Sequence, residues 1–178
     1  MRYRRAFIPG GSFFFTVVTE QRRPLLAAAD AVDVLRMAFR TVRSARPFEL
    51  DAIVVMPDHL HCIWTLPPGD ADFATRWRLV KTWFTKHREP TLCSAPNRAR
   101  IAKREQAVWQ HRFWEHLLRD EADVVRHVEY IHYNPVRHGY AAAPADWPYS
   151  SFHRYVEASI YPADWGRGDI ELGDIGRE

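Results

Sequence analysis

Residues 48–66 read FELDAIVVMPDHLHCIWTL, and the fold turns on how this stretch is parsed. Two runs rich in β-branched and aromatic residues, 48–56 and 59–66, flank the tight Met56-Pro57-Asp58 connection, so the segment predicts a β-hairpin. Side chains alternate across a strand, so His59 and His61 share one face while Leu60, Cys62, Trp64 and Leu66 share the other. The second set is apolar and belongs to a core. Two imidazoles at alternate positions are either the polar side of an amphipathic strand or a pair able to share one divalent cation.

Working outward, residues 13–19 (FFFTVVT) predict a strand preceded by the Gly10-Gly11 turn. Residues 24–45 predict a helix, begun at Pro24, striped by Val32, Leu35, Phe39 and Val42, and ended by Pro47. After the Pro67-Pro68-Gly69 break, Asp72 caps a helix running to about residue 87, with Phe73, Trp77, Val80 and Phe84 on one face. Residues 88–107 read as a loop, 108–119 as a strand, and 121–133 as a helix ended by Pro135 and Gly139. The resulting β-α-β-β-α-β order predicts an α+β, ferredoxin-like (split β-α-β) antiparallel sheet with helices on one face, plus an irregular C-terminal extension. The expected division is a domain over residues 1–155 and an acidic, loosely ordered tail over 156–178.

Composition narrows the class. Of 178 residues, 47% are hydrophobic and 26% charged, and two cysteines, Cys62 and Cys93, exclude a disulfide scaffold or a four-cysteine zinc site. No run approaches the roughly 20 apolar residues of a membrane span, and the basic, aromatic N-terminus lacks the pattern of a signal peptide. A cytoplasmic protein with neither membrane nor nucleotide cofactor is expected. The net charge of +3 conceals a basic front half and an acidic end, which fits either a solvated surface or a polyanionic partner. Rings lie beside cations in Arg76-Trp77-Arg78 and Arg112-Phe113-Trp114, a pairing used to stack and hold nucleic acid.

A second constellation lies in Glu129-Tyr130-Ile131-His132-Tyr133-Asn134-Pro135. Val124, Val128 and Ile131 stripe this helix, and Tyr130 projects about 160° around it from Val128. Asn134 sits one turn above Tyr130 on the same face. That face either packs on a second surface such as the sheet or presents a nucleophilic phenol beside an amide oxygen. Tyrosine can attack an electrophilic phosphorus, and a cation held by His59 and His61 would neutralise the charge growing on the leaving oxygen.

These segments resemble the REP-associated tyrosine transposases, relatives of small insertion-sequence transposases of the single-tyrosine class marked by His, a bulky hydrophobic residue, His. The resemblance spans roughly residues 2–166. It is carried by Arg4-Arg5 through Gly10-Gly11 with Phe14-Phe15-Thr16, by residues 46–49, by residues 54–67 around His59-Leu60-His61, by Arg112-Phe113-Trp114-Glu115-His116, by Tyr130 to Val136, and by residues 147–153. It implies that His59, His61 and Asn134 bind Mg²⁺ or Mn²⁺ and that Tyr130 attacks single-stranded DNA beside a hairpin, leaving a 5′-phosphotyrosine and a free 3′-OH. It also implies that the basic N-terminal segment reads the flanking bases. The expected DNA contacts are Arg2, Arg4, Arg5, Gly10, Gly11, Arg76, Arg78, Lys81 and Arg112. For the cations of 76–88 the other reading is a solvated helix face. Segment 88–107 has no counterpart in the pattern. A non-catalytic hairpin-binding module of the same fold is the alternative, and monomer or dimer is left open.

Overall fold

Four strands, β1 (Ser12–Val18), β2 (Glu49–Val55), β3 (His59–Thr65) and β4 (Trp114–Leu117), form one antiparallel sheet in the order β2-β3-β1-β4. The computed structural model describes residues 8–89 and 107–168. β3 lies between β1 and β2 and runs against both, with Val18 opposite His59 and Thr16 opposite His61. That is the split β-α-β arrangement the element order predicts. Among the described residues its α-helices are α1 (Ala29–Ala45), α2 (Phe73–His87), α3 (Glu121–Arg137) and the short α4 (Phe152–Glu157).

The expectation of helices on one face is corrected. Phe13, Phe15, Val17, Leu60, Cys62 and Trp64 pack with α1 and α2 in one core. Phe14, Ala52, Val54 and Ile63 pack with Val128, Tyr130 and Ile131 of α3 in a second core on the opposite face. The reason lies in the strands themselves. FFFTVV and AIVV are apolar at successive positions rather than at alternate ones, as strands covered on both faces are. His59 and His61 are therefore buried, at 1% and 0% exposure, rather than displayed on a polar surface.

Four boundaries also move. α1 begins at Ala29 rather than Pro24, because residues 19–26 fold onto the β2–β3 connection instead. Thr19 Oγ1 donates to the carbonyls of Arg23 and Asp58, and the Leu26 amide donates to the Pro57 carbonyl. The strand expected over 108–119 shrinks to β4. Trp109 bridges Thr19 and packs in the first core, the Gln110 amide donates to the Val18 carbonyl, and continuous strand pairing begins only at Trp114. α3 continues through Pro135 to Arg137, because a proline in the last turn deletes only its own bond to the preceding turn. The expected boundary at residue 155 falls inside α4, and the chain beyond keeps packing. Tyr161 stacks on Phe152 and Trp165, and Tyr133 Oη donates to the Gly168 carbonyl at 2.9 Å. The last ten residues of the expected tail lie outside the described residues. Among the described residues no helix is long and apolar enough to cross a membrane.

Candidate functional site

β3 delivers His59 and His61 to the seam under α3, with ring centroids 4.9 Å apart. Each ring is oriented through Nδ1. Asp58 Oδ1 lies 2.6 Å from His59 Nδ1, and Thr16 Oγ1 lies 2.9 Å from His61 Nδ1. A carboxylate on Nδ1 fixes the tautomer and turns Nε2 into the ligating atom, the usual outer shell of a metal-bound histidine. Burial pushes the Asp58 carboxyl up, but the hydrogen bonds and charges of His59 and Arg22 outweigh it and hold it below its ordinary value. Asp58 is thus a carboxylate when it orients His59. Its place in the tight turn is the signal that could have marked it in the sequence.

α3 supplies the opposite wall. The Tyr130 ring stands edge-on to His61 at 5.2 Å, and His138, at the helix C-cap, lies 5.4 Å from His59. Asn134 is the intervening member of this i, i+4 row, so it falls between the two contacts. The Arg137 guanidinium sits 5.4 Å over the Tyr130 ring. Tyr130 is 1% exposed, so the face opposite the Val124–Val128–Ile131 stripe does pack on the sheet. Tyr133, three residues along, is committed elsewhere through its bond to Gly168 and its contact with Trp165.

Buried His59 Nε2 and both side-chain atoms of Asn134 have no hydrogen-bond partner among the described residues. Each such atom costs on the order of 1–3 kcal/mol unless something satisfies it. An unsatisfied imidazole nitrogen and an unsatisfied carboxamide oxygen are both donor types that a divalent cation accepts, so His59 and Asn134 are chemically suited to one.

A second cluster escaped the sequence reading. His116, Asp123 and His127 bring ligand-type atoms within 4.8 Å of one another and could hold a metal ion. Here, however, the atoms are already paired. Asp123 accepts from the Arg119 amide and contacts His116 Nε2 at 3.0 Å, while His127 Nδ1 lies 2.8 Å from the Asp123 carbonyl. Burial raises the Asp123 carboxyl, but His116, the Arg119 amide and His127 bring it below the ordinary range. Burial also lowers His127. The i, i+4 spacing of Asp123 and His127 was visible in the sequence, but β4 was needed to add His116.

The expected DNA contacts divide. Arg76 is corrected: it is 2% exposed, and its guanidinium donates to Asp70, to the Asp72 carbonyl and to the carbonyls of Arg46 and Pro47. It braces the start of α2 and does not face a ligand. Lys81 is half-buried, donating to the Gln110 carbonyl at 2.9 Å and lying over Phe113. Arg78 and Arg112 are exposed. Gly10 adopts φ +72°, and its amide donates to the Asp70 carbonyl. A side chain at Gly11 would meet the Ile8 carbonyl and Phe13 at 3.1 Å. Arg2, Arg4, Arg5 and Cys93 lie outside the described residues. Cys62 is buried and its thiol is pushed up by burial, as a structural cysteine requires.

The comparisons with known proteins make this a small α+β enzyme of the tyrosine transposase class, which cleaves and rejoins DNA. No family model matches the chain. Whole-chain comparisons are specific. A Haemophilus influenzae protein named as a REP-associated tyrosine transposase is 46% identical over 97% of this chain and 98% of its own length. The REP-associated tyrosine transposase of Escherichia coli K12 is 46% identical over 94% of this chain and 92% of its own. A solved structure of a REP-associated tyrosine transposase bound to a REP hairpin superposes with a TM-score of 0.77 at 42% identity, covering 98% of this chain and 97% of the other. The chain belongs to the REP-associated tyrosine transposases.

Proposed function

We propose that this chain cleaves and rejoins single-stranded DNA beside REP-type hairpins, with Tyr130 as nucleophile and a divalent cation as cofactor. The observation that carries the reading is the Tyr130 ring set against His61, with the unsatisfied carboxamide of Asn134 one turn beyond. In the reaction the phenol oxygen attacks phosphorus and the bond to O3′ breaks. The phenol gives up its proton, the departing O3′ gains one, and a 5′-phosphotyrosine and a 3′-OH result. One phosphodiester replaces another, so the reverse attack by a 3′-OH rejoins the strand without an external energy source.

His59, His61 and Asn134 would hold Mg²⁺ or Mn²⁺, which when bound neutralises charge on the phosphate. The paired atoms of His116, Asp123 and His127 make that cluster the weaker host. Arg137 contributes fixed positive charge beside the Tyr130 ring, where the phenolate develops. Because Tyr130 is 1% exposed, a phosphodiester reaches it only once the groups covering it move aside. Arg2, Arg4 and Arg5 with the Gly10-Gly11 turn are the proposed readers of bases next to the hairpin, and exposed Arg78 and Arg112, with Lys81, the proposed phosphate contacts.

The test is incubation with hairpin-bearing single-stranded oligonucleotides and Mn²⁺ or Mg²⁺, followed by a denaturing gel. The wild type should form a covalent protein–DNA adduct, EDTA should abolish it, and Tyr130→Phe should abolish it while keeping hairpin affinity. An adduct that persists in Tyr130→Phe and disappears in Tyr133→Phe would overturn the assignment.

A further inference from the structure

Trp114 is 47% exposed, whereas every other tryptophan of the chain is buried or half-buried. It starts β4, the outermost strand of the sheet, on the face that carries Thr16 and His61. Its indole lies parallel to the His116 ring (5° between planes, centroids 5.9 Å), and His116 in turn stacks on His127 (17°, 4.8 Å). Asp123 holds both histidines, at 3.0 Å and 3.2 Å. Phe14 supports the ladder from the sheet side at 5.7 Å from Trp114, and the same ring touches Tyr130 at 6.0 Å and His61 at 5.5 Å. One aromatic ring therefore separates the exposed indole from the tyrosine.

We propose that Trp114 is a stacking subsite for an unpaired nucleobase in the single-stranded flank of the hairpin, a reading that rests on DNA cleavage at Tyr130. The chemistry selects this occupant. An indole held flat by a braced ring ladder loses little rotamer freedom when a second flat ring lands on it. Exposed Arg112 precedes it by two residues, and exposed Arg126 pairs with Asp123 of the ladder, cations of the kind that hold a phosphate backbone. Every base has a π-face, so the subsite supplies affinity and positions the strand rather than reading its sequence. The His116–Asp123–His127 cluster then acts as the brace that keeps the indole in place.

The experiment uses the full chain carrying Tyr130→Phe, so that binding is read without cleavage. Anisotropy titrations compare a hairpin with single-stranded flanks and the same hairpin with blunt ends, and abasic sites are scanned through the flanks. Trp114→Ala should weaken binding of the flanked hairpin roughly 5- to 150-fold, the range of one base–aromatic stack. Blunt hairpin binding should be unchanged, and Trp114→Phe should recover most of the loss. At one flank position an abasic site should weaken the Trp114-containing protein and leave Trp114→Ala unaffected. Equal losses on flanked and blunt hairpins, no loss on the flanked one, or no abasic position that removes the difference would each overturn the proposal. The adduct assay on the Tyr130-containing protein separates the two readings. Coupling at a flank position without any adduct would sink cleavage at Tyr130 and keep the subsite, and an adduct without coupling would do the reverse.

Discussion

At the scale of single residues, an unsatisfied atom is a measurable liability. His59 Nε2 and the Asn134 carboxamide are buried without partners among the described residues, so a cation bound there would stabilise the folded chain as well as serve the proposed reaction. Binding to the native state alone contributes about 2.7 kcal/mol at a hundredfold excess over Kd, which for a chain of this size is a rise of roughly 5–10 °C in melting temperature. Mn²⁺ should produce such a rise in the wild type, and EDTA should reverse it. His61→Ala should lack the response, and His127→Ala, whatever its basal melting temperature, should retain it. A response lost only in His127→Ala would move the metal to the His116–Asp123–His127 cluster. His132 supplies a second residue-scale prediction. Burial, with Arg154 adding to it, lowers this histidine to about 3, and its Nε2 pairs with Ser151 Oγ at 2.9 Å. The unfolded chain takes up a proton near pH 6.5 that the folded chain refuses until about 3. Stability is therefore full above 6.5 and drains as pH falls between those values, by about 1.4 kcal/mol per unit. Urea titrations at pH 7.5 and 5 should show a loss smaller by about 2 kcal/mol in His132→Gln than in the wild type. Of these residues, the histidine pair was legible because strand alternation puts both on one face. Asp58 could have been marked by its place beside His59 in the tight turn, whereas the burial of His132 depended on tertiary partners that no spacing reveals.

At the scale of elements, most of the plan was written in local pattern. The β3 run, the Asp72 cap, whose carboxylate accepts from the Thr75 amide at 3.0 Å, and the α1 stripe all form where periodicity puts them. What local pattern lacked was the second layer. The β-hairpin gave one face to a core and the other to histidines, yet Phe14, Val54 and Ile63 share the histidine face, and α3 covers them. β4 was overextended because Trp109 and Trp114 look alike in sequence while belonging to opposite sides of the sheet. Arg76 is the clearest case of a charge misread from helix position. Its partner Asp70 precedes the helix, and its other acceptors are the Asp72 carbonyl at the helix start and the Arg46 and Pro47 carbonyls just past α1. Its hydrogen bonds outweigh burial and hold the Asp70 carboxyl low. Arg76→Ala leaves that carboxylate, 31% exposed and so partly solvated, without its partner and removes the donor to the Asp72, Arg46 and Pro47 carbonyls, so it should cost about 1–3 kcal/mol of stability. Chemical unfolding should show that loss while the folded fraction binds hairpin DNA with wild-type affinity. A normal unfolding midpoint with weakened binding would return Arg76 to the DNA surface.

At the scale of the whole molecule, the sequence is charged asymmetrically, and its acidic end follows a segment that packs on the site's supporting layer. Tyr161 contacts His132, Phe152 and Trp165, and a side chain at Gly166 would lie 2.7 Å from Pro144. Beyond Gly168 the chain carries Asp169, Glu171, Asp174 and Glu178 against Arg177. Two truncations therefore separate packing from electrostatics. Ending the chain after Ala158 removes the Tyr161 and Trp165 rings and should lower the melting temperature by several degrees, since each kcal/mol of lost contact is worth about 2–4 °C here. Ending it after Gly168 spares those rings and should leave the melting temperature unchanged. It also removes a net negative segment that, being tethered to the same chain, would compete with DNA for the proposed basic contacts at high effective concentration. Hairpin binding by the Gly168 truncation should therefore tighten at low salt, and the gain should vanish toward 0.5 M salt as the charges are screened. A gain that survives high salt would assign the effect to steric cover instead of charge. Unchanged affinity at low salt would show that the acidic end does not compete with DNA at all.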